Sequence, residues 1–323
     1  MKQLMLALVL ALASSLGLAA DSWPAKPVHV IVPFPPGSSP DLVARMLTEK
    51  LAQVLGQAVI VDNKPGAGGN IGTGQVAKAE PDGYTIGLSI PGPLAVNTVL
   101  YKNKNKMGYD PFTELAPITL VALSPNVLIV NPGLGVNSVQ EFIAYVKARP
   151  GKLNYGSVGN GSASHLTMEL LKMQAGLDIV HVPYPGSPQV ITAILGDQIQ
   201  AGFIVPGTAM PLAKSGRVKA LAVTSSSKSA VLPDMPTVAD AGFPGFESSA
   251  WLGMVAPANT PKPVIDRLSR ELVAIIRSPE IGEKMGKIYF QPVGTTPEGL
   301  ADLMRSERDR WAKVIKQTGA GVD

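Results

Sequence analysis

The chemistry open to this sequence centres on two turns rich in glycine and serine. In the first, residues 28–45 read Val-His-Val-Ile-Val-Pro-Phe-Pro-Pro-Gly-Ser-Ser-Pro-Asp-Leu-Val-Ala-Arg, an apolar strand that passes through a turn into a helix. Ser39 is placed to cap that helix, Pro40 to open it where a missing N–H costs nothing, and Asp41 to set an acid in the positive first turn. The amides from Gly37 to Ser39 are then expected to face outward. Unpaired N–H groups and the helix dipole there would suit a carboxylate or phosphate. An ordinary strand-to-helix connection that binds nothing has the same signature.

The second turn repeats the device. Residues 153–166 read Leu-Asn-Tyr-Gly-Ser-Val-Gly-Asn-Gly-Ser-Ala-Ser-His-Leu, with helical spacing continuing through Met168, Leu171 and Met173. Ser162 or Ser164 is the expected cap. Gly156, Gly159 and Gly161 allow positive φ and close approach to a ligand, and Ser157, Ser162 and Ser164 are expected to add hydroxyl donors. Ligands of open α/β sheets sit beyond the C-terminal ends of the strands, so both cups would face one cleft. The run from Gly159 to Ser164 also approaches a dinucleotide fingerprint, with Asp178 downstream, but its third Gly or Ala is missing and Asp178 precedes its strand. A third run, Gly66-Ala-Gly-Gly-Asn-Ile-Gly72, could line the cleft or simply let a helix pack closely on a sheet.

Catalytic constellations are harder to assemble. The chain has three histidines, at 29, 165 and 181, and no cysteine. His29 and His181 fall inside strand patterns, where a structural imidazole is usual; His165 and Glu169, four apart on one helix, could hold a metal but have no third ligand of matching character nearby. There is no P-loop, no Gly-x-Ser-x-Gly elbow and no evident trio of nucleophile, base and orienter. No cofactor is expected, and the residues read as a binding site rather than a reaction centre.

The elements that must position these turns alternate along the chain. Short apolar runs at 28–32, 58–61, 84–88, 127–130, 153–155, 179–182, 199–205, 220–224 and 252–255 are the candidate strands. Helical patterns fall between them, which predicts an α/β protein with largely parallel sheets. Ser138 with Glu141 forms a capping box, and Thr260-Pro261 and Thr296-Pro297 announce two further helices. Joints rich in Pro, Gly or Ser near 123–125 and 242–246 suggest two crossings between lobes.

Removing a signal leaves about 300 residues, enough for two cores of ordinary size. Lys2, the apolar run from Leu4 and small residues at Gly17, Ala19 and Ala20 read as a secretory signal peptide over 1–20, which places the mature protein in the periplasm. The formal net charge of +4 is spread along the chain, and the cluster Lys102, Lys104 and Lys106 lacks interleaved aromatics, so no nucleic-acid partner is expected.

The sequence resembles the substrate-binding proteins of tripartite tricarboxylate transporters, also called the Bug or TctC family. The likeness is carried by Trp23-Pro-Ala-Lys-Pro27, Ile31-Val-Pro-Phe-Pro-Pro-Gly37 with Asp41 and Ala44-Arg45, Asn63-Lys-Pro-Gly-Ala-Gly-Gly69 and Pro81-Asp-Gly-Tyr84. Further along come Leu153-Asn-Tyr-Gly-Ser157 with Gly161-Ser162 and His165-Leu166, Val182-Pro-Tyr184 with Gly186, and Pro236-Thr-Val-Ala-Asp-Ala-Gly242 with Pro244-Gly-Phe-Glu247 and Trp251. It implies a type II periplasmic binding protein fold: two Rossmann-like lobes, one of residues 21–124 with 246–323 and the other of 125–245, closing on a small di- or tricarboxylate. It also implies delivery of that anion to a membrane permease, by a receptor expected to be a monomer. The ligand-binding residues it suggests are Phe34, Gly37, Ser38, Ser39, Asp41, Ser89, Ser157, Gly161, Ser162, Ala163, Ser164, Tyr184, Gly186, Ser187, Ile204 and Val205.

Two departures bear on the ligand. The family's usual Gly-Gly before Ser or Thr reads here Gly37-Ser38-Ser39-Pro40, and its frequent acid after a strand Phe reads Phe203-Ile204-Val205. Without that acid an ammonium has no acceptor, which points away from amino acids and towards an aliphatic or aromatic dicarboxylate. A sensory module passing its signal to a membrane kinase would use the same clamp, and so, with a catalytic group added, would an exported enzyme.

Overall fold

A computed structural model describes residues 23–103 and 106–322; the expected signal peptide lies outside the described residues. Among the described residues eleven strands form two sheets, and their order places the turns. The strands are β1 (Val28–Val32), β2 (Val59–Asn63), β3 (Thr85–Ser89), β4 (Leu115–Pro125), β5 (Val127–Val130), β6 (Asn154–Ser157), β7 (Val180–Pro183), β8 (Ala201–Ile204), β9 (Lys219–Val223), β10 (Ser249–Pro257) and β11 (Gln291–Pro292). The first sheet runs β11-β4-β10-β3-β1-β2 and the second β7-β6-β8-β5-β9.

The sheets are mixed rather than largely parallel. β1 pairs in parallel with β2 and β3, and β6 with β7 and β8, but β10 runs antiparallel to β3 and β4, and β5 antiparallel to β8 and β9. The reason is connectivity: β4 carries the chain out of the first sheet and β10 brings it back alongside, so the two must oppose. β4 was absent from the sequence expectation because Pro117 and Pro125 interrupt its apolar run; Pro117 sits beside a register shift in the β4–β10 ladder, where a missing N–H is tolerated.

The first helix, α1 (Ser39–Leu55), buries Val43, Ala44, Leu47, Leu51 and Leu55 on one face and ends at Gly56, whose φ of 67° closes the last turn through its N–H to Ala52 O. Its N-cap is Ser38, not Ser39 as the sequence suggested, and the Ser38 side chain makes no capping bond. Elsewhere the caps follow expectation: Ser138 accepts from Glu141 N and Thr296 from Gly299 N. Thr260 does not cap; its hydroxyl donates to Pro257 O, and the next helix begins at Lys262.

One apolar core passes from the first sheet into the second through Leu120, Leu128, Tyr155, Phe203 and Trp251. The C-terminal helix (Pro297–Thr318) covers it, and there the indole N–H groups of Trp251 and Trp311 both donate to the buried Glu307 carboxylate at 3.1 Å. The chain leaves the first sheet at Asn126 and returns between Thr224 and Ser248, where the two crossings are tied together. Asn126 N donates to Thr224 Oγ1 (2.8 Å), Thr224 N to Asn126 O (2.9 Å), Thr224 Oγ1 to Ser248 O (2.5 Å) and Ser248 N back to Thr224 O (3.0 Å).

Candidate binding cleft

Between the sheets lies a cleft of about 570 Å³, counted to its open mouth. Its walls come from the C-terminal ends of strands and the first turns of the helices that follow, as the topology requires. Phe34, Ser38, Ser39 and Pro40 enter from the turn after β1, and Val158, Ser162, Ala163 and Ser164 from the turn after β6. Gly186 and Ser187 open the helix Ser187–Leu195, and Phe203, Ile204 and Val205 end β8. Ile90, Pro91, Asn126, Ala250, Leu252 and Phe290 complete the lining. No Asp, Glu, Lys, Arg or His is among these residues.

The first cup is not the open array of amides that the sequence suggested. Gly37 N donates to Asp41 Oδ2 at 2.9 Å and Ser38 N to Pro35 O at 3.2 Å, so two of its three amides are already satisfied. Asp41 lies behind the wall as an anchor: it also accepts from Asn63 Nδ2 (3.0 Å) and pairs with Arg45 (2.9 Å), while Asn63 donates to Phe34 O. Burial alone would raise the Asp41 carboxyl, but the Arg45 guanidinium and the Gly37 and Asn63 N–H groups outweigh it and hold the acid below its ordinary range. Among the described residues, the amides of Ser39 and Asp41 at the start of α1 have no partner.

The second cup is also knitted from within. Gly159 N donates to Ser157 Oγ, Val158 N to Ser164 Oγ and Gly161 N to His165 Nδ1. Ser162 caps the helix Ala163–Ala175 by accepting from His165 N, and donates its proton to Gly159 O at 2.6 Å. The 3.0 Å contact between Ser162 and Ser164 therefore uses the Ser164 proton. The expectation of spare serine donors fails here, because the loop consumes them. What remains for a ligand is the pair of amides at Ala163 and Ser164, in the first turn of that helix.

Behind this loop the imidazoles of His165 and His181 stack with centroids 4.1 Å apart, and Tyr155 stacks on His181 at 4.9 Å. His181 Nε2 lies 2.6 Å from Ser157 Oγ. Burial lowers both histidines to about 3, with Lys172 adding to the effect on His165 and the neighbouring His165 to that on His181. Both rings are therefore neutral and hold the loop as hydrogen-bonding wedges. Glu169, the second half of the spaced pair, accepts from Tyr155 OH (2.7 Å) and pairs with Lys172 (2.6 Å).

The third glycine run serves close packing and does not line the cleft. At Gly72 an added Cβ would meet Pro33 and Lys64 O within 3 Å, which is close packing of helix on sheet. Gly68, with φ of 63°, instead faces the second cup: a Cβ on Gly159 would lie 2.8 Å from Gly68 Cα. Likewise a Cβ on Gly92 would lie 3.0 Å from Gly161 O. The turns of the two sheets thus touch backbone to backbone at two points.

Of the residues suggested by the sequence, Phe34, Ser38, Ser39, Ser162, Ala163, Ser164, Gly186, Ser187, Ile204 and Val205 converge on the cleft. Gly37, Asp41, Ser157 and Gly161 lie behind it as supports, Ser89 is buried against Thr73 (2.7 Å), and Tyr184 lines an adjoining hollow beyond Phe34 with Tyr101 and Gly66 to Gly69. Asn126, Ala250 and Phe290 went unnoticed in the sequence, and Leu252 was read only as the start of a strand. The Ile90-Pro-Gly turn after a strand was a usable signal for Ile90 and Pro91.

Residues 43–320 match the model of the family described as tripartite tricarboxylate transporter family receptor. Protein BugT of Bordetella pertussis is 38% identical over 304 residues, covering 94% of this chain and 92% of its own. The structure of R. palustris Rpa4515 with adipate aligns with a TM-score of 0.87 at 35% identity, over 92% of this chain and 98% of that one. MatC from Rhodopseudomonas palustris with bound malate aligns with a TM-score of 0.84 at 30% identity, over 91% and 100%.

Proposed function

The chain belongs to the tripartite tricarboxylate transporter family of receptors, and from that footing we propose that it is an exported periplasmic receptor that closes two lobes on a dicarboxylate and presents it to a membrane permease. The signal peptide is residues 1–20. Residues 21–124 with 246–323 form one lobe, 125–245 the other, and the hydrogen-bonded crossings at Asn126, Thr224 and Ser248 are the hinge. The receptor acts as a monomer and binds its ligand without transforming it; His165 and His181 are held behind the second loop, and His29 pairs with Asp62 away from the cleft lining.

The observation that carries this reading is the contrast between the backbone and the side chains of the cleft. First turns beginning at Ser39, Ala163 and Ser187 aim at the space from different sides, and each offers N–H groups and a partial positive charge of about half a unit. The side chains offer hydroxyls and apolar surface, with no carboxylate to receive an ammonium group. Two carboxylates at the ends of an aliphatic or aromatic body fit that pattern: the ends meet amides, the middle meets Phe34, Ile90, Phe203, Ile204 and Leu252. The likeness to structures holding adipate and malate supports the same class.

Calorimetry and melting curves with adipate, terephthalate, malate and glutamate test it. A diacid present at a hundredfold over its Kd should stabilise the fold by about 2.7 kcal/mol. Glutamate binding far more tightly than every plain diacid would refute the reading.

A further inference from the structure

Ser38 carries a hydroxyl that the protein itself leaves unsatisfied. The residue is only 7% exposed, and its Oγ has no hydrogen-bond partner; among the described residues it is the one such buried side-chain atom in the cleft wall. Its backbone stands at the N-cap of α1, where a serine ordinarily accepts from the second or third amide of the helix. Here the second is Pro40, which has no N–H, and the third, Asp41 N, goes unclaimed. Nor is the reciprocal bond made: Ser38 N donates to Pro35 O, and the Asp41 carboxylate reaches one residue further back, to Gly37 N. With neither half of the cap formed, the serine hydroxyl is left lining the cleft beside the free amides of Ser39 and Asp41.

We propose that Ser38 is a specificity-determining residue: its hydroxyl donates to one carboxylate of the ligand, and the unliganded protein tolerates a buried orphan in order to offer that proton. This rests on the carboxylate reading above. The opposite end cannot make the same offer, since the Ser162 and Ser164 protons are already engaged within their loop. The end at Ser38 therefore favours a carboxylate over a carboxamide or alcohol, because the hydroxyl and the amides of Ser39 and Asp41 are three donors that a charged group with two acceptor oxygens satisfies together, through stronger charge-assisted bonds.

Ser38→Ala is the test, read in two ways. Without ligand the variant should melt no lower than the wild type, since it loses an unsatisfied group rather than a bond. Its Kd for adipate should rise about tenfold or more, as for a hydrogen bond to a charged partner. A lower melting point with unchanged Kd would make the hydroxyl structural and overturn the assignment, as would an unchanged Kd alone. If wild type binds none of the diacids tested, the carboxylate reading falls and this assignment with it; if wild type binds and Ser38→Ala binds equally, only Ser38 falls.

Discussion

Acid should weaken this fold well before its carboxylates titrate, because of the two stacked imidazoles. Each has an ordinary value near 6.5 in the unfolded chain and is lowered to about 3 in the native state by burial. Between those limits the unfolded chain binds protons that the native state refuses. Stability is therefore full above pH 6.5 and falls as the pH drops towards 3. For His165, buried at 2% exposure, the loss between pH 7 and pH 5 comes to about 2 kcal/mol; half-buried His181 adds less, for roughly 3 kcal/mol together. At the entropy of unfolding of a chain this long, that lowers the midpoint by about 5 °C. The window avoids Asp41, whose carboxyl is held below 3.8 and so contributes its loss at lower pH. Thermal melts at pH 7, 6 and 5 give the slope, and His165→Asn is the control. Asn can offer Oδ1 to the Gly161 amide in place of Nδ1 without titrating. The variant should melt lower at pH 7, through lost packing, yet lose clearly less between pH 7 and 5. Equal midpoints for the wild type at pH 7 and pH 5, or an unaltered slope in His165→Asn, would refute the reasoning.

Two further substitutions probe the frame around the cleft. In Gly161→Ala the new Cβ would fall 1.9 Å from Asn97 Oδ1 on a residue with φ of 75°, so roughly 2–4 kcal/mol of stability should be lost in urea denaturation, with ligand binding weakened as the loop shifts. Thr224→Val removes the hydroxyl that serves both Asn126 N and Ser248 O; leaving those buried groups unpaired should cost about 2–4 kcal/mol by the same measurement, and a neutral result would mean that the crossings are not held by this knot.

Much of the cleft was legible because the chain writes strand, small residues and capped helix contiguously. Residues 34–40 and 158–164 could be placed from spacing alone, and Gly186 to Ser187 and Ile204 to Val205 from the family likeness. What spacing does not encode is which way a hydrogen bond turns. Nothing in Gly-Ser-Ser-Pro-Asp reveals that the Asp41 carboxylate folds back onto Gly37, or that Ser162 and Ser164 satisfy the loop before any ligand can use them. Asn126, Ala250, Leu252 and Phe290 were invisible as cleft residues for a different reason. They arrive through the crossings and the C-terminal tail, as ordinary residues made neighbours by topology. The prolines in β4 concealed the very strand that sets the mixed direction of the first sheet.

The glycine contacts between the turns separate two jobs within the molecule. Gly68 against Gly159 and Gly92 against Gly161 join main chain to main chain, so the fit of one jaw on the other is indifferent to the side chains around it. In the function proposed above, the cargo is recognised elsewhere, at Phe34, Ser38, Ile204 and Val205, which line the cleft. On that proposal, a change of ligand would need only a few substitutions on the cleft wall and would leave the main-chain contacts between the turns as they are.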